Sequence, residues 1–262
     1  MKISIHLPAA TCLGLALSCA GLPALADEAT QASQGVETVR TEVNGIPAII
    51  VSAKRYVPDA SMSANKSDIP LIQTPQSVSV ITRDQIDLLN FVDAQQAVRY
   101  SAGVQGENYG PDLRFDFLTV RGFTPKQYID GLQAPISTTI YSVGLDLYGF
   151  ESFDVLKGPA SVLYGNAPPG GIYNQTSRRA SPVNGGEFGL KYGTDKFREA
   201  FGTVTGSLSD SVSGRFTALY RDRDAERNLV SAKRLYLAPT VTWKIGEATS
   251  LTGLFYYQHD EV

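Results

Sequence analysis

The sequence predicts two unlike pieces in one exported chain: a small α+β domain of mixed sheet and short helices, then antiparallel β-strands of the kind that span a bilayer. Three observations predict this. The chain opens on an apolar leader. Residues 151–178, dense in glycine and proline, read as strand, corner, short helix, hinge and strand. From Gly186 onward, apolar and polar residues alternate in segments of bilayer-crossing length.

Residues 1–26 carry the leader. Lys2 supplies the positive end, residues 9–20 the apolar run, and Ala24-Leu25-Ala26 a small-residue cleavage site. A lipoprotein leader modified at Cys19 is the rival, but Ala16 stands where such leaders favour leucine. The run is short for a transmembrane helix, and no stop-transfer charges follow it. Both cysteines, Cys12 and Cys19, lie in this leader, as does His6. The mature chain therefore lacks disulfides, a thiolate nucleophile and cysteine-ligated zinc, and with His259 alone it has no site built from several histidines. Any metal that it handles must be held by another molecule, so no protein-bound cofactor and no metal site are expected. The formal charge of −3 becomes one unit more negative without Lys2 and comes with no basic stripe, so nucleic acid has no electrostatic foothold. Neither G-x-S-x-G nor H-E-x-x-H occurs, which argues against an enzyme.

Residues 27–66 have the polar, small-residue composition of a tether, interrupted by the β-branched run AIIVSAKR at 48–55. That run reads either as an edge strand of the next domain or as a separate extended segment. The compact domain covers residues 67–182. Gln76-Ser77-Val78-Ser79-Val80-Ile81 alternates as a strand, and Thr82-Arg83-Asp84-Gln85 is a capping box that opens a helix through Leu88 and Leu89. Asp93-Ala94-Gln95-Gln96 repeats the device before Gly103 stops a second helix. Residues 117–123 and 128–131 read as paired strands around a Thr124-Pro125 turn. Further on, Pro159 suits the first turn of a helix and Gly165 its stop. Pro168-Pro169-Gly170-Gly171 then reverses the chain into a strand at 172–175. Gly165 and Gly170 have phosphate-loop spacing, but Gly171-Ile172 follows where lysine and a hydroxyl residue belong, so no nucleotide site is implied. On these residues alone the stretch fits a βα turn in any α+β domain.

The wording is more specific than the physics. LKGPASVLYG with PPGG, preceded in order by TPQSVSVITRDQI, VRGF and YIDGL, resembles the plug domain of TonB-dependent outer-membrane receptors, above all the ferric-siderophore receptors of ferrichrome type. The resemblance implies an α+β plug domain followed by antiparallel transmembrane β-barrel strands. It makes residues 48–55 a TonB box. Ile49, Ile50, Val51, Ser52 and Ala53 would then add as a strand to the sheet edge of a TonB-type periplasmic energy-coupling protein. Arg121 and Lys157, in VRGF and LKGP, gain a role too. In the family, basic residues at these two positions pair with glutamates on the inner barrel wall and lock the plug; without such partners they are strand-end charges worth little.

In residues 183–262, Phe188, Leu190 and Tyr192 alternate with Glu187, Gly189 and Lys191. Val212, Phe216, Ala218 and Tyr220 alternate with Ser213, Arg215, Thr217 and Arg221. Leu235, Leu237, Val241 and Trp243 alternate with Tyr236, Thr240 and Thr242. Segment 197–209 is less clean, though Ala200, Val204 and Leu208 share a face; segment 249–259 points Leu251, Phe255 and Tyr257 one way. A soluble sandwich alternates as well, but the leader and the plug favour strands facing outer-membrane lipid. Five strands cannot close, and an open edge in hydrocarbon leaves N–H and C=O groups unpaired. Receptors of this type have about 22 strands. The sequence is thus expected to be a fragment, with the acidic partners of Arg121 and Lys157 beyond Val262.

The implied function is energy-coupled uptake of a ferric siderophore across the outer membrane of a Gram-negative bacterium, gated by the plug. The outer membrane has no ATP, so work must arrive through the periplasmic partner. Loops after Gly103 and Gly131 would face outward, making Gln105, Tyr109, Arg114, Gln133 and Tyr141 candidate ligand contacts. Amide and aromatic side chains suit an oxygen-rich hydroxamate chelate, though each is equally an ordinary solvated loop residue. The alternatives are the same fold taking cobalamin, another metal chelate or a glycan, or a non-functional truncated receptor.

Overall fold

The structure, a computed structural model, describes residues 3–5, 42–43, 46–47, 56, 58–67, 69–110, 112–135, 142–225 and 230–262. Residues 10–55 form a unit of their own, in which Glu42–Val43 pairs antiparallel with Ile46–Pro47.

A five-stranded sheet organises the first half of the larger unit. Its strands are β1 (Ser77–Thr82), β2 (Lys126–Ile129), β3 (Leu132–Gln133), β4 (Phe150–Lys157) and β5 (Gly171–Ser177), in the order β1-β4-β5-β2-β3. β5 runs parallel to β2 and every other pair is antiparallel, which gives the expected mixed sheet. β4 buries Phe153 and Val155 against Ile81, Ile86, Val98, Leu147 and Tyr173. Its neighbour Leu156 packs with Tyr128, Ala160, Tyr164 and Ile172 in a second cluster. Each such side chain contributes roughly 1.5–3 kcal/mol of burial free energy.

Four short helices flank the sheet: α1 (Met62–Asn65), α2 (Arg83–Leu88), α3 (Ala94–Ala97) and α4 (Ser161–Tyr164). The capping box that opens α2 is complete. The Gln85 N–H donates to Thr82 Oγ1 at 3.3 Å, and the Thr82 N–H donates to Gln85 Oε1 at 3.2 Å. Asp93 caps α3 by accepting from the Gln96 N–H at 2.9 Å, while the Gln96 side chain reaches one residue further back, to the Val92 N–H at 3.0 Å. α4 starts after Ala160, so Pro159 precedes its first turn, and Gly165 ends it at φ 66°.

One expected pairing does not form. Thr119–Val120 pairs with Val104–Gln105, while β2 pairs with β5 and β3, so residues 117–123 and 128–131 are not a hairpin. The turn falls at Arg121-Gly122, not at Thr124-Pro125. Val120 and Phe123 exchange backbone hydrogen bonds of 2.8 and 3.0 Å around it. Both central residues are left-handed, at φ 52° and 83°, which glycine adopts freely and arginine does not.

The second half is a meander of β6 (Gly185–Tyr192), β7 (Arg198–Ser207), β8 (Val212–Asp224) and β9 (Ser231–Lys244), followed by β10 (Ser250–Leu254) and β11 (Tyr257–Glu261). Ile3–Ile5 lies antiparallel along the outer edge of β6. The last segment, expected as one strand, is two: β10 and β11 both pair with β9, in the same register, with a gap opposite Pro239. The Pro239 carbonyl accepts from the Phe255 N–H at 3.2 Å, so on that side proline lacks the N–H that would complete the ladder.

The wall has inverted polarity. Phe188, Leu190, Val204, Phe216, Tyr220, Leu235, Val241 and Trp243 are exposed, whereas Glu199, Thr203, Ser213, Thr217, Arg221, Arg234 and Thr240 are buried. The outward row of β8 from Val212 to Tyr220 runs about 26 Å along the strand, or roughly 20 Å of depth when tilted. This is the arrangement of strands with lipid outside and a filled lumen inside. The six segments do not close a barrel.

Candidate functional site

The charged inner wall meets the domain at Asp146, which leads into a 3-10 turn, Leu147–Gly149, and caps it by accepting from the Tyr148 N–H at 3.0 Å. Arg221 Nη1 donates to Asp146 Oδ2 at 2.6 Å, and Arg234 Nη1 approaches the same oxygen at 3.4 Å. Arg221 also holds Glu199, whose other oxygen takes Lys191 at 2.8 Å. Arg234 in turn holds Asp260 at 2.6 Å. The network runs over four wall strands, β6, β7, β8 and β9, and on to β11, with a single carboxylate of the α+β domain at its centre. Burial alone would raise the Asp146 carboxyl; Arg221 and Arg234 outweigh it and hold the group below the usual carboxylate range. Burial, and then Asp93, push the Asp116 carboxyl up to about 8.

Packing seals the same seam. Tyr148 stands edge-on to Phe201 at 4.9 Å in a cluster with Leu219, Tyr236 and Ala238. Gly149 is so close to the wall that a Cβ there would lie 1.9 Å from Tyr236 Oη. On the domain side, Arg83 donates to the carbonyls of Leu147 and Phe150 at 2.7 and 2.9 Å, which fixes the segment that presents Asp146.

The Arg121–Lys157 corner is built differently. Lys157 ends β4 and is 8% exposed. Arg121 lies over the adjoining Gly158, where a Cβ would sit 3.1 Å from its Nη1. Burial, then the nearby Arg121, push the Lys157 ammonium below its usual range. Among the described residues neither cation has an ion-pair partner. Two like charges therefore sit together at this corner, and only Lys157 is buried.

Residues 58–66 are bound to the sheet through α1. Buried Asp154, on β4, accepts from Ser61 Oγ at 3.0 Å and from Ser63 Oγ. Asn174, opposite it on β5, donates to Ser63 Oγ at 2.8 Å, and Tyr164 Oη donates to the Ser63 carbonyl at 2.7 Å. Burial raises the Asp154 carboxyl against the pull of these hydroxyls.

Of the expected ligand contacts, Gln105, Tyr109 and Arg114 stand on one loop between α3 and β2, all exposed. Tyr109 is edge-on to Phe117 at 5.2 Å, and Arg114 pairs with Asp112 at 2.8 Å. Gln133, also exposed, sits on the β2–β3 hairpin. Tyr141 lies outside the described residues, as do Ile49, Ile50, Val51, Ser52 and Ala53.

Residues 70–172 match the family described as TonB-dependent Receptor Plug Domain. The chain carries a TonB-dependent receptor plug. The ferrioxamine B receptor of Salmonella typhimurium strain SL1344 is 38% identical over 75% of this chain and 29% of its own length. The ferrichrome outer membrane transporter/phage receptor of Escherichia coli K12 is 31% identical over 82% of the chain and 29% of its own length. Among solved structures, the ferric-catecholate import receptor Fiu of E. coli K12 superposes with a TM-score of 0.69 at 25% identity, over 80% of this chain and 30% of that one. The chain thus spans under a third of the length of the relatives it matches. Plug and strands belong to the outer membrane of a Gram-negative bacterium.

Sequence reasoning found the plug but missed its principal contact with the wall. Asp146 stands in SVGLDLYGF, without a distinguishing motif, and its partners Arg221 and Arg234 lie 75 and 88 residues away. The signal that was available is the inward phase of Arg221 on β8, a charge on a face that must be buried if the other face meets lipid.

Proposed function

We propose that the chain belongs to a receptor for energy-coupled uptake of a ferric siderophore of hydroxamate type. The observation that carries this reading is the plug packed against a wall that is apolar outside and charged within, in a chain whose relatives are named for ferrioxamine B and ferrichrome. Both ligands are ferric hydroxamates. In this reading the iron stays in its chelator, the protein holds no cofactor of its own and catalyses no covalent step, and nucleic acid plays no part. Gln105, Tyr109, Arg114, Gln133 and Tyr141 contact the ligand. Ile49, Ile50, Val51, Ser52 and Ala53 add as a strand to a TonB-type partner, whose pull shifts the plug. Arg121 and Lys157 take glutamate partners from the rest of the barrel wall, which relieves the repulsion at their corner.

The test is uptake of radio-iron ferrioxamine B and ferrichrome by cells whose sole siderophore receptor is the full-length protein. Uptake that stops when the TonB-type partner is deleted supports the proposal. Binding of neither hydroxamate, or uptake indifferent to the partner, overturns it.

A further inference from the structure

We infer that Gln95 is the positioning residue of the ligand-facing loop: one buried side-chain amide on α3 sets the backbone geometry on both sides of Tyr109 and Arg114. The inference rests on the receptor reading above. It concerns a residue that meets no ligand.

Gln95 is 2% exposed. Its Nε2 donates to the carbonyls of Asp112 and Phe115 at 3.4 and 3.3 Å, and its Oε1 accepts from the Glu107 N–H at 3.2 Å. These partners fix the amide orientation, since two carbonyls need the NH2 and an N–H needs the oxygen. Both donors are in use. The three anchors bracket the loop: Glu107 lies two residues before Tyr109, while Asp112 and Phe115 flank Arg114.

Two further contacts fix the same limb. Glu107 is left-handed at φ 57°, a conformation that a non-glycine residue keeps only when its surroundings impose it. Arg99, on the turn that follows α3, holds the Glu107 carboxylate at 2.5 Å. Gly106 lies against the same helix, where a Cβ would come 2.6 Å from the Gln95 carbonyl oxygen. The backbone is thus held from beneath while Tyr109, 69% exposed, and Arg114 point outward. A loop ordered before the ligand arrives does not lose that freedom on binding, so the anchor should set affinity and leave the transport step alone.

The experiment uses the full-length receptor with Gln95→Leu, which keeps the bulk without the hydrogen bonds, and Gly106→Ala, which displaces the loop with Gln95 intact. Amide exchange without ligand is read for residues 104–117 and for β4, together with ferrioxamine B affinity and maximal uptake rate. In both variants we expect loop exchange about tenfold faster with β4 unchanged, affinity about tenfold weaker, and the saturated uptake rate preserved. Unchanged loop exchange in Gln95→Leu overturns the assignment. So does equal loosening of β4, which would make Gln95 a general core residue, or affinity held within twofold despite a loosened loop. If the unaltered receptor binds no ferric hydroxamate, the receptor reading fails by itself, and the exchange data alone then decide whether Gln95 anchors the loop.

Discussion

Two charged regions of the plug are opposite in design. At the Asp146 seam each charge is answered: one plug carboxylate meets two wall arginines, which in turn hold Glu199 and Asp260. At the Arg121–Lys157 corner two cations face each other with no acid among the described residues. The difference teaches that a lock is recognised by its pairs and not by its charged residues. The corner carries the charges that motif reading singles out, while the buried ion pairs between plug and wall among the described residues lie at the seam.

Breaking the seam should have the largest effect. Arg221→Met leaves Asp146 buried with only Arg234, at 3.4 Å, and leaves Glu199 to Lys191. Removing one side of such a network costs about 3–5 kcal/mol. The expected outcome is a lowered denaturant midpoint for the purified receptor, together with faster exchange of residues 146–150. A loss below about 1 kcal/mol would put the seam in the class of exposed pairs.

Gly149→Ala tests the packing half of the same seam. With Tyr236 Oη only 1.9 Å from the added Cβ, overpacking should cost roughly 1–3 kcal/mol. Combined with Tyr236→Ala, the two changes should cost less than their sum, because the second removes the atom that the first strikes. Strict additivity in that cycle would mean that plug and wall do not touch there.

The smallest effect should come from the corner, and it concerns pH. The folded pKa of Lys157 lies below its unfolded value of 10.5, so the unfolded chain binds more protons in the alkaline window between them, and stability rises with pH there. Asp146 is the mirror case: its contribution is present above the ordinary carboxylate pKa and is lost as pH falls through the depressed one. Arg121→Gln should flatten the alkaline slope without abolishing it, since burial is the first cause of the shift and Arg121 the second. Unfolding midpoints between neutral and alkaline pH would show this. A slope of opposite sign in the full-length receptor would mean that carboxylates from elsewhere in the barrel already answer the corner.

Local chemistry was legible in the sequence where a residue acts on its neighbours. The Thr82–Gln85 box closes over three residues, and the apolar phase of β8 and β9 is set within each strand, so both can be read without knowing what lies opposite. Misreadings arose where the partner is distant or the conformation unusual. Arg121 in a left-handed turn gives no sign of itself in VRGF, so the sequence points to the nearby proline instead. Pro239 was visible, but its effect depends on which neighbour its missing N–H would face, which only the register reveals. The Asp146 network needs five strands and the plug brought together, and no local pattern encodes that.

The attachment of α1 carries a mechanical corollary. Ser63 is gripped at once by Asp154 on β4, Asn174 on β5 and Tyr164 on α4, and β4 and β5 are interior strands of the plug sheet. A tug on residue 58 loads the Asp59–Leu71 backbone hydrogen bond of 2.8 Å and then, through Ser61 and Ser63, the middle of the sheet, so bonds inside the plug bear the load first.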